Sequence, residues 1–278
     1  MTSHDEGLAL AESKNQGEQK VTNPQGDFMW YELLTEDAVA ADKFYGPILG
    51  WTTSEAGVEG SHGYRIIHAT DGDVGGMMDI PAEAKAHGMR PTWLGYVTVD
   101  NVDAAAAKIV AAGGKQHMEP TDVPGVIRFA MLADPQGASF YVGRGMMEGT
   151  STAFAADKVG HCQWNELLTS DQAAAWKFYG DQFGWKKGDV MPMGDMGDYE
   201  FLTQKDQTIG AFMRKDPDKP SRWRYYFGVG DIDVAADTVK KGGGNIVHGP
   251  AEVPGGIFII IGTDPQGAEF GLVGPRKG

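Results

Sequence analysis

The feature that most constrains this chain is that it says the same thing twice. Trp30-Tyr31-Glu32-Leu33-Leu34-Thr35 returns as Trp164-Asn165-Glu166-Leu167-Leu168-Thr169, and Lys43-Phe44-Tyr45-Gly46 returns as Lys177-Phe178-Tyr179-Gly180. Gly50-Trp51 returns as Gly184-Trp185, at the same offset of 134. Further on, Val123-Pro124-Gly125 and Asp134-Pro135-Gln136-Gly137-Ala138 return as Val253-Pro254-Gly255 and Asp264-Pro265-Gln266-Gly267-Ala268, offset by 130. The difference is a net loss of four residues between Trp185 and Trp223, which a loop can absorb. Self-similarity at a fixed spacing means one structural unit used repeatedly. A chain of 278 residues is long enough to give each copy its own core. The expected organisation is a polar tail over 1–26, a first domain over 27–145, a linker over 146–159 and a second domain over 160–275. The linker holds Gly149-Thr150-Ser151-Thr152, small and polar residues suited to an exposed connection. The tail is read as mobile, or as docking on the body late.

Within each copy the pattern alternates strand and helix. Phe28 to Leu34 is a short apolar-aromatic run that predicts a strand. Thr35-Glu36-Asp37 then offers an N-cap, and Ala41, Phe44, Tyr45 and Ile48 follow at helical spacing until Gly50 stops the helix. Tyr64 to Ala69 and Val74 to Ile80 predict two more strands around Asp71-Gly72-Asp73. A second unit opens at Trp93 to Val99, continues through the alanine-rich helix Val102 to Ala112, and ends in strands Val126 to Ala133 and Ser139 to Val142. Val234 to Lys241, Ile257 to Gly262 and Glu269 to Val273 occupy the same places in the second copy. Each domain is therefore α+β, two βαβββ units whose pairing curls a mixed sheet around a cavity.

Composition narrows the partners. The formal charge is -14, which opposes contact with a polyanion, so nucleic acid is excluded. No run of 18 apolar residues exists, so a membrane partner is not expected. One cysteine, Cys162, can build neither a disulfide framework nor a multi-thiolate zinc site. By strand parity Cys162 shares the face of Trp164, where packing is the expected role. The polar start lacks the apolar core of a signal peptide, and the localisation read from all this is cytoplasmic. The expected partner is a small molecule, with the chain a monomer or a homodimer.

Phe-Tyr late in the first helix, Gly-Trp after it, and Asp-Pro-Gln-Gly before the last strand together resemble the glyoxalase/bleomycin-resistance/extradiol-dioxygenase (vicinal oxygen chelate) superfamily. The resemblance spans both domains. It implies a cavity for a small organic molecule, and in metal-using members a divalent ion held by His, Gln or Glu on inward-facing strands. The positions that the resemblance assigns to those ligands are Trp30, Leu94, Tyr141 and the Met77-Met78 pair in the first copy. In the second they are Trp164, Arg224, Gly271 and the Phe212-Met213 pair. None is a competent ligand for a hard or borderline cation. No catalytic metal is expected, with a divalent metal held by non-standard ligands as the alternative.

Glu32 and Glu166 are the candidate acid–base groups, since strand residues two apart share a face with Trp30 and Trp164. A carboxylate among aromatics is desolvated, which raises its pKa toward neutrality. The alternative role for both is structural, through backbone hydrogen bonds or a buried arginine. Arg224 and Glu269 add charge to the second copy, where Arg224 either holds an anionic ligand or neutralises Glu166 or Glu269. That charge makes the second cavity the expected working one. Trp30, Trp164, Tyr141, Met78 and Met213 are the candidate ligand-lining residues; Met77, Trp93, Phe212, Trp223 and Tyr225 belong to the same pool of core or pocket side chains. His62, His68, His87, His117, His161 and His248 show no ligand-like clustering and are read as incidental. Two functions stay open: a metal-independent lyase or isomerase, and a non-catalytic protein that sequesters a small molecule.

Overall fold

The computed structural model describes residues 22–57 and 63–278. Residues 1–21 of the tail, and His62, lie outside the described residues. The first copy contributes β1 (Phe28–Thr35), α1 (Ala38–Leu49), β2 (Thr52–Glu55), β3 (Arg65–Ala69) and β4 (Gly72–Asp79). A five-residue helix, α2 (Ala82–Ala86), leads to β5 (Thr92–Thr98), α3 (Val102–Ala111), β6 (Lys115–Val123), β7 (Ile127–Ala133) and β8 (Ser139–Gly145). The second copy repeats the order: β9 (Cys162–Thr169), α4 (Gln172–Phe183), β10 (Lys186–Pro192), β11 (Asp198–Gln204) and β12 (Gln207–Arg214). It ends with β13 (Arg222–Gly228), α5 (Ile232–Lys241), β14 (Asn245–Val253), β15 (Ile257–Thr263) and β16 (Glu269–Gly274).

Repeated residues build repeated local structure. Asp37 accepts the Ala40 N–H at 2.9 Å and Asp171 accepts that of Ala174 at 2.9 Å, so α1 and α4 start on the same cap. Both helices stop where a glycine takes a left-handed conformation, Gly50 at φ 70° and Gly184 at φ 75°.

Each copy forms one eight-stranded mixed sheet. The order is β2-β3-β4-β1-β5-β8-β7-β6 in the first and β10-β11-β12-β9-β13-β16-β15-β14 in the second. The two βαβββ units of a domain meet at the antiparallel β1–β5 pair, or β9–β13 in the second copy. Neither sheet closes into a barrel; β2 and β6, like β10 and β14, remain edges.

The two faces of each sheet have different duties. Tyr31, Leu33, Trp93 and Val97 join the helices in one buried core that continues through both domains, with α1 packed on α5 and α3 on α4. Here the repeated motifs acquire a reason. Trp93 Nε1 donates to the Tyr45 hydroxyl at 3.1 Å, and Tyr45 donates to Asp264 of the other domain at 3.1 Å. Trp223 donates to Tyr179 at 3.1 Å and Tyr179 to Asp134 at 3.0 Å, the same relay in the reverse direction. Asp134 and Asp264 also accept the backbone N–H groups of their own Pro-Gln-Gly turns. The Gly-Trp tryptophans cross over too: Trp51 donates to Gly160 O at 2.7 Å and Trp185 to Gly26 O at 2.8 Å.

Three expectations need correction. The linker is not simply an exposed connection, because Ala153 is fully buried and Phe154 packs on the shared core. His161 is buried rather than incidental: its ring bridges Thr152 O at 2.6 Å and Asp71 at 2.7 Å. Lys158 and His161 together pull the exposed Asp71 carboxyl down to about 2. Cys162 faces the shared core and not the side of Trp164, because β9 itself bulges at Gln163: Trp164 and Cys162 pair with the consecutive Tyr226 and Phe227, and the extra residue breaks the alternation. Its thiol is pushed up to about 12 by burial, which suits packing.

The crossed relays predict that Tyr45→Phe and Tyr179→Phe each lower stability by about 1–3 kcal/mol, the range for stranding a buried acceptor. Urea unfolding should show it for both variants, and a loss confined to one would mean that the two relays are not equivalent.

Candidate functional site

On the opposite face of the first sheet, Leu34, Leu94, Tyr96, Met131 and Tyr141 form a second, smaller cluster, against which Trp30, Met78, Met118 and Phe129 pack. Glu32 sits in this face, 3 % exposed, between Trp30 and Leu34 on β1. Tyr96 donates to its carboxylate at 3.0 Å, and Tyr141 and Tyr64 also hydrogen-bond to it. Trp30 Nε1 fixes Tyr64 by donating to its hydroxyl at 2.9 Å. Gly76, directly opposite Glu32 in the register, makes room for this: a Cβ there would lie 1.9 Å from the Tyr64 hydroxyl. Tyr96 and Tyr141 stack with centroids 4.2 Å apart. Burial pushes the Glu32 carboxyl above its ordinary value, and the three tyrosine donors offset that only in part.

The second copy begins with the same frame and fills it differently. Trp164 Nε1 donates to Tyr199 at 2.8 Å, Tyr199 donates to Glu166 at 2.9 Å, and Tyr226 donates to Glu166 at 3.1 Å. Arg224 then reaches Glu166 at 2.6 Å and Glu269 at 2.9 Å, while Arg222 grips Glu269 with two bonds of 2.9 and 3.2 Å. Burial disfavours the Arg224 charge, but Glu166, Tyr226 and Glu269 more than compensate and hold it protonated. Burial likewise pushes Glu269 up, and the two arginines bring it below its ordinary value. Met213 lies on this face, opposite Leu168.

The structure therefore brings Trp30, Glu32, Met78 and Tyr141 together in one cluster, and Trp164, Glu166, Arg224 and Glu269 in another. Tyr225, Trp93, Trp223, Phe212 and Met77 go instead to the shared core, with the Tyr225 hydroxyl accepting Gly95 N–H at 2.7 Å. His68 lies elsewhere, bridging Ser54 at 2.7 Å and Asp73 at 2.6 Å on an exposed surface. Sequence reading missed Tyr64, Tyr96, Tyr199 and Tyr226. A signal existed for two of them, since Tyr96 and Tyr226 stand two residues after Leu94 and Arg224. A separate pocket of about 190 Å³, lined by Asn23, Asp27, Ser151, Phe154, Gln204 and Lys205 among others, shares no residue with either glutamate cluster.

The donor set can be tested against the metal that the fold resemblance implies. Among the described residues no three His, Cys, Asp or Glu side chains converge. Around Glu32 the neighbours are tyrosines, Trp, Leu and Met, and beside Glu166 an arginine already supplies the positive charge. Neither set fits a divalent cation.

Residues 28–142 and again 158–272 match the Glyoxalase/Bleomycin resistance protein/Dioxygenase superfamily. The chain belongs to this superfamily. It is 33% identical over 254 residues to the protein named "Putative glyoxylase CFP32" of Mycobacterium tuberculosis, covering 90% of this chain and 95% of that one. It is 31% identical over 267 residues to the anthracycline biosynthesis protein DnrV of Streptomyces peucetius, covering 90% and 93%. The fold is similar to that of the Mn(II)-bound glyoxalase from Novosphingobium aromaticivorans, with a TM-score of 0.62 at 19% identity over 91% of this chain and 83% of that one. Among the described residues no helix is long and apolar enough to cross a membrane.

Two stability predictions follow from the contrast between the glutamates. Arg224→Leu leaves the buried Glu166 without a counter-charge, while Glu269 keeps Arg222, and should cost about 3–5 kcal/mol, the range for breaking a buried ion pair from one side. Glu32 has the opposite signature. Its folded value lies above 4.5, so its contribution is complete at low pH and is lost as pH rises through the folded value. Glu32→Gln removes that dependence, so the melting temperature of the variant should gain on the parent from about pH 4.5 upward. A difference that stays flat with pH would show that Glu32 ionises without penalty.

Proposed function

We propose that the protein binds a small organic molecule on the Glu32 face of its first domain, and that Glu32 donates or accepts a proton there in a lyase or isomerase reaction that needs no metal. The observation that carries this is the pairing of the two glutamates: Glu166 is neutralised by Arg224, whereas Glu32 is buried among three tyrosine hydroxyls. A desolvated carboxyl whose pKa is raised toward working pH is what general acid–base catalysis asks for. Tyr64, Tyr96 and Tyr141, held protonated by burial and by the neighbouring glutamate, would orient the carboxyl. The second domain, in this reading, serves as the structural partner.

The lining suits a planar, mostly apolar ligand. Trp30, Phe129 and the stacked Tyr96–Tyr141 pair offer flat surfaces, and Met29, Met78 and Met118 offer adaptable ones. The anthracycline biosynthesis named in the Streptomyces relative agrees with such a ligand. Sequestration without chemistry is the second reading, favoured by the 3 % exposure of Glu32 and its tyrosine bonds.

Exchange of the α-hydrogens of 2-tetralone for deuterium, followed by NMR, separates the readings. Catalysis predicts accelerated exchange that survives EDTA, persists in Glu166→Gln and falls by about 10²-fold or more in Glu32→Gln. Loss on chelation would instead require a metal. Binding without exchange, unchanged in Glu32→Gln, would leave sequestration.

A further inference from the structure

The duplication contains its own ligand experiment. Glu166 faces Arg224 in the β9–β13 register, and Glu32 faces Leu94 at the equivalent place in β1–β5. The rest of the frame is shared: Trp164, Tyr199 and Tyr226 stand where Trp30, Tyr64 and Tyr96 stand. The second copy thus shows what a carboxylate held by this Trp–Tyr–Tyr frame accepts, and the answer is a guanidinium nitrogen at 2.6 Å. The first copy keeps the carboxylate and has uncharged residues at the three strand positions that are charged around Glu166. Thr92 replaces Arg222, Leu94 replaces Arg224 and Ser139 replaces Glu269 at matching register positions. Tyr141 replaces Gly271 and adds an aromatic wall.

We propose that the ligand of the first domain carries a cation, an ammonium or guanidinium on a planar apolar body, and that this cation pairs with Glu32 as Arg224 pairs with Glu166. The inference rests on the reading of the Glu32 face as the ligand site. A buried carboxylate without a counter-charge is unfavourable, and a ligand cation relieves that in the way the internal arginine does. Trp30, Tyr96, Tyr141 and Phe129 supply ring faces, which attract cations as well as apolar groups. The net charge of -14 draws cations toward the protein over longer range. Pairing also leaves Glu32 ionised in the complex, the state a base requires.

The test compares 2-naphthylmethylammonium with the uncharged 2-naphthylmethanol by calorimetric titration of the full chain at neutral pH. The parent protein should bind the amine at least about tenfold more tightly, as a charge-assisted hydrogen bond implies. Glu32→Gln should abolish that preference while keeping the affinity for the alcohol. Leu94→Arg should suppress amine binding by supplying the guanidinium internally, with a thermal melt to confirm that it folds. If it does not fold, the Glu32→Gln comparison decides alone. Equal binding of both probes overturns the cation and leaves the Glu32 face as a site. A preference that survives in Glu32→Gln places the cation elsewhere and also overturns the proposal. Binding of neither probe overturns the proposal together with the reading of the face.

Discussion

The structure depends on a hydrogen-bonded relay that each domain completes only with its partner. Trp93 and Tyr45 belong to one copy, and the aspartate that ends their relay, Asp264, belongs to the other. The mirror relay runs from Trp223 through Tyr179 to Asp134. A buried polar group left without a partner is costly, and among the described residues of one half the tyrosine O–H has no acceptor and the aspartate Oδ2 no donor, since the turn's own N–H groups go to Oδ1. Burial raises both aspartates above their ordinary values, which places these links in the dry interior and not at a wetted seam. Two motifs that repeat faithfully along the chain, Phe-Tyr-Gly and Asp-Pro-Gln-Gly, supply the middle and the acceptor end of these relays.

That constraint acts on one face of each sheet and leaves the other free. Strand alternation sends Tyr31 and Leu33 into the shared core and Trp30, Glu32 and Leu34 to the opposite side. The relay residues recur on the core face of both copies, and where the copies differ there they differ as a matched pair: the Tyr31 hydroxyl donates to Asn165 at 2.8 Å and the Gly95 N–H to the Tyr225 hydroxyl at 2.7 Å. The opposite face carries no relay, and there the copies have parted in charge. One has become an ionic network of Glu166, Arg224, Glu269 and Arg222; the other is a carboxyl among tyrosines and methionines.

How much of this was legible in the sequence follows from which forces leave a periodic trace. The helices and the central strands carry strong apolar patterns and repeat across copies, so their existence was readable. The edge strands β2, β6 and β10 were not, because a strand buried on neither face shows no hydrophobic alternation; β6 is exposed at Lys115, His117 and Glu119 and contains Pro120. Face assignment by counting worked along straight strands, as at Glu32 and Leu34, and failed at the bulge that turned Cys162 into the core. The Arg224–Glu166 contact was open as one of several roles, because cross-strand register is not written in either strand alone. Tyr64 and Tyr199 escaped notice because they fall where insertions break the offset between copies.

Duplication within one chain is what allows the two glutamates to differ. In a symmetric dimer of a single domain, every substitution appears on both subunits, so an arginine opposite one glutamate would neutralise the other as well. The shared core would then be bought at the expense of the site, or the site would carry an uncompensated carboxylate twice. With both copies in one chain, Arg224 and Leu94 occupy the same register position in different domains. The second domain can neutralise its glutamate, and lend its relay residues to the shared core, while the first keeps a buried carboxyl without a cationic side chain bonded to it among the described residues.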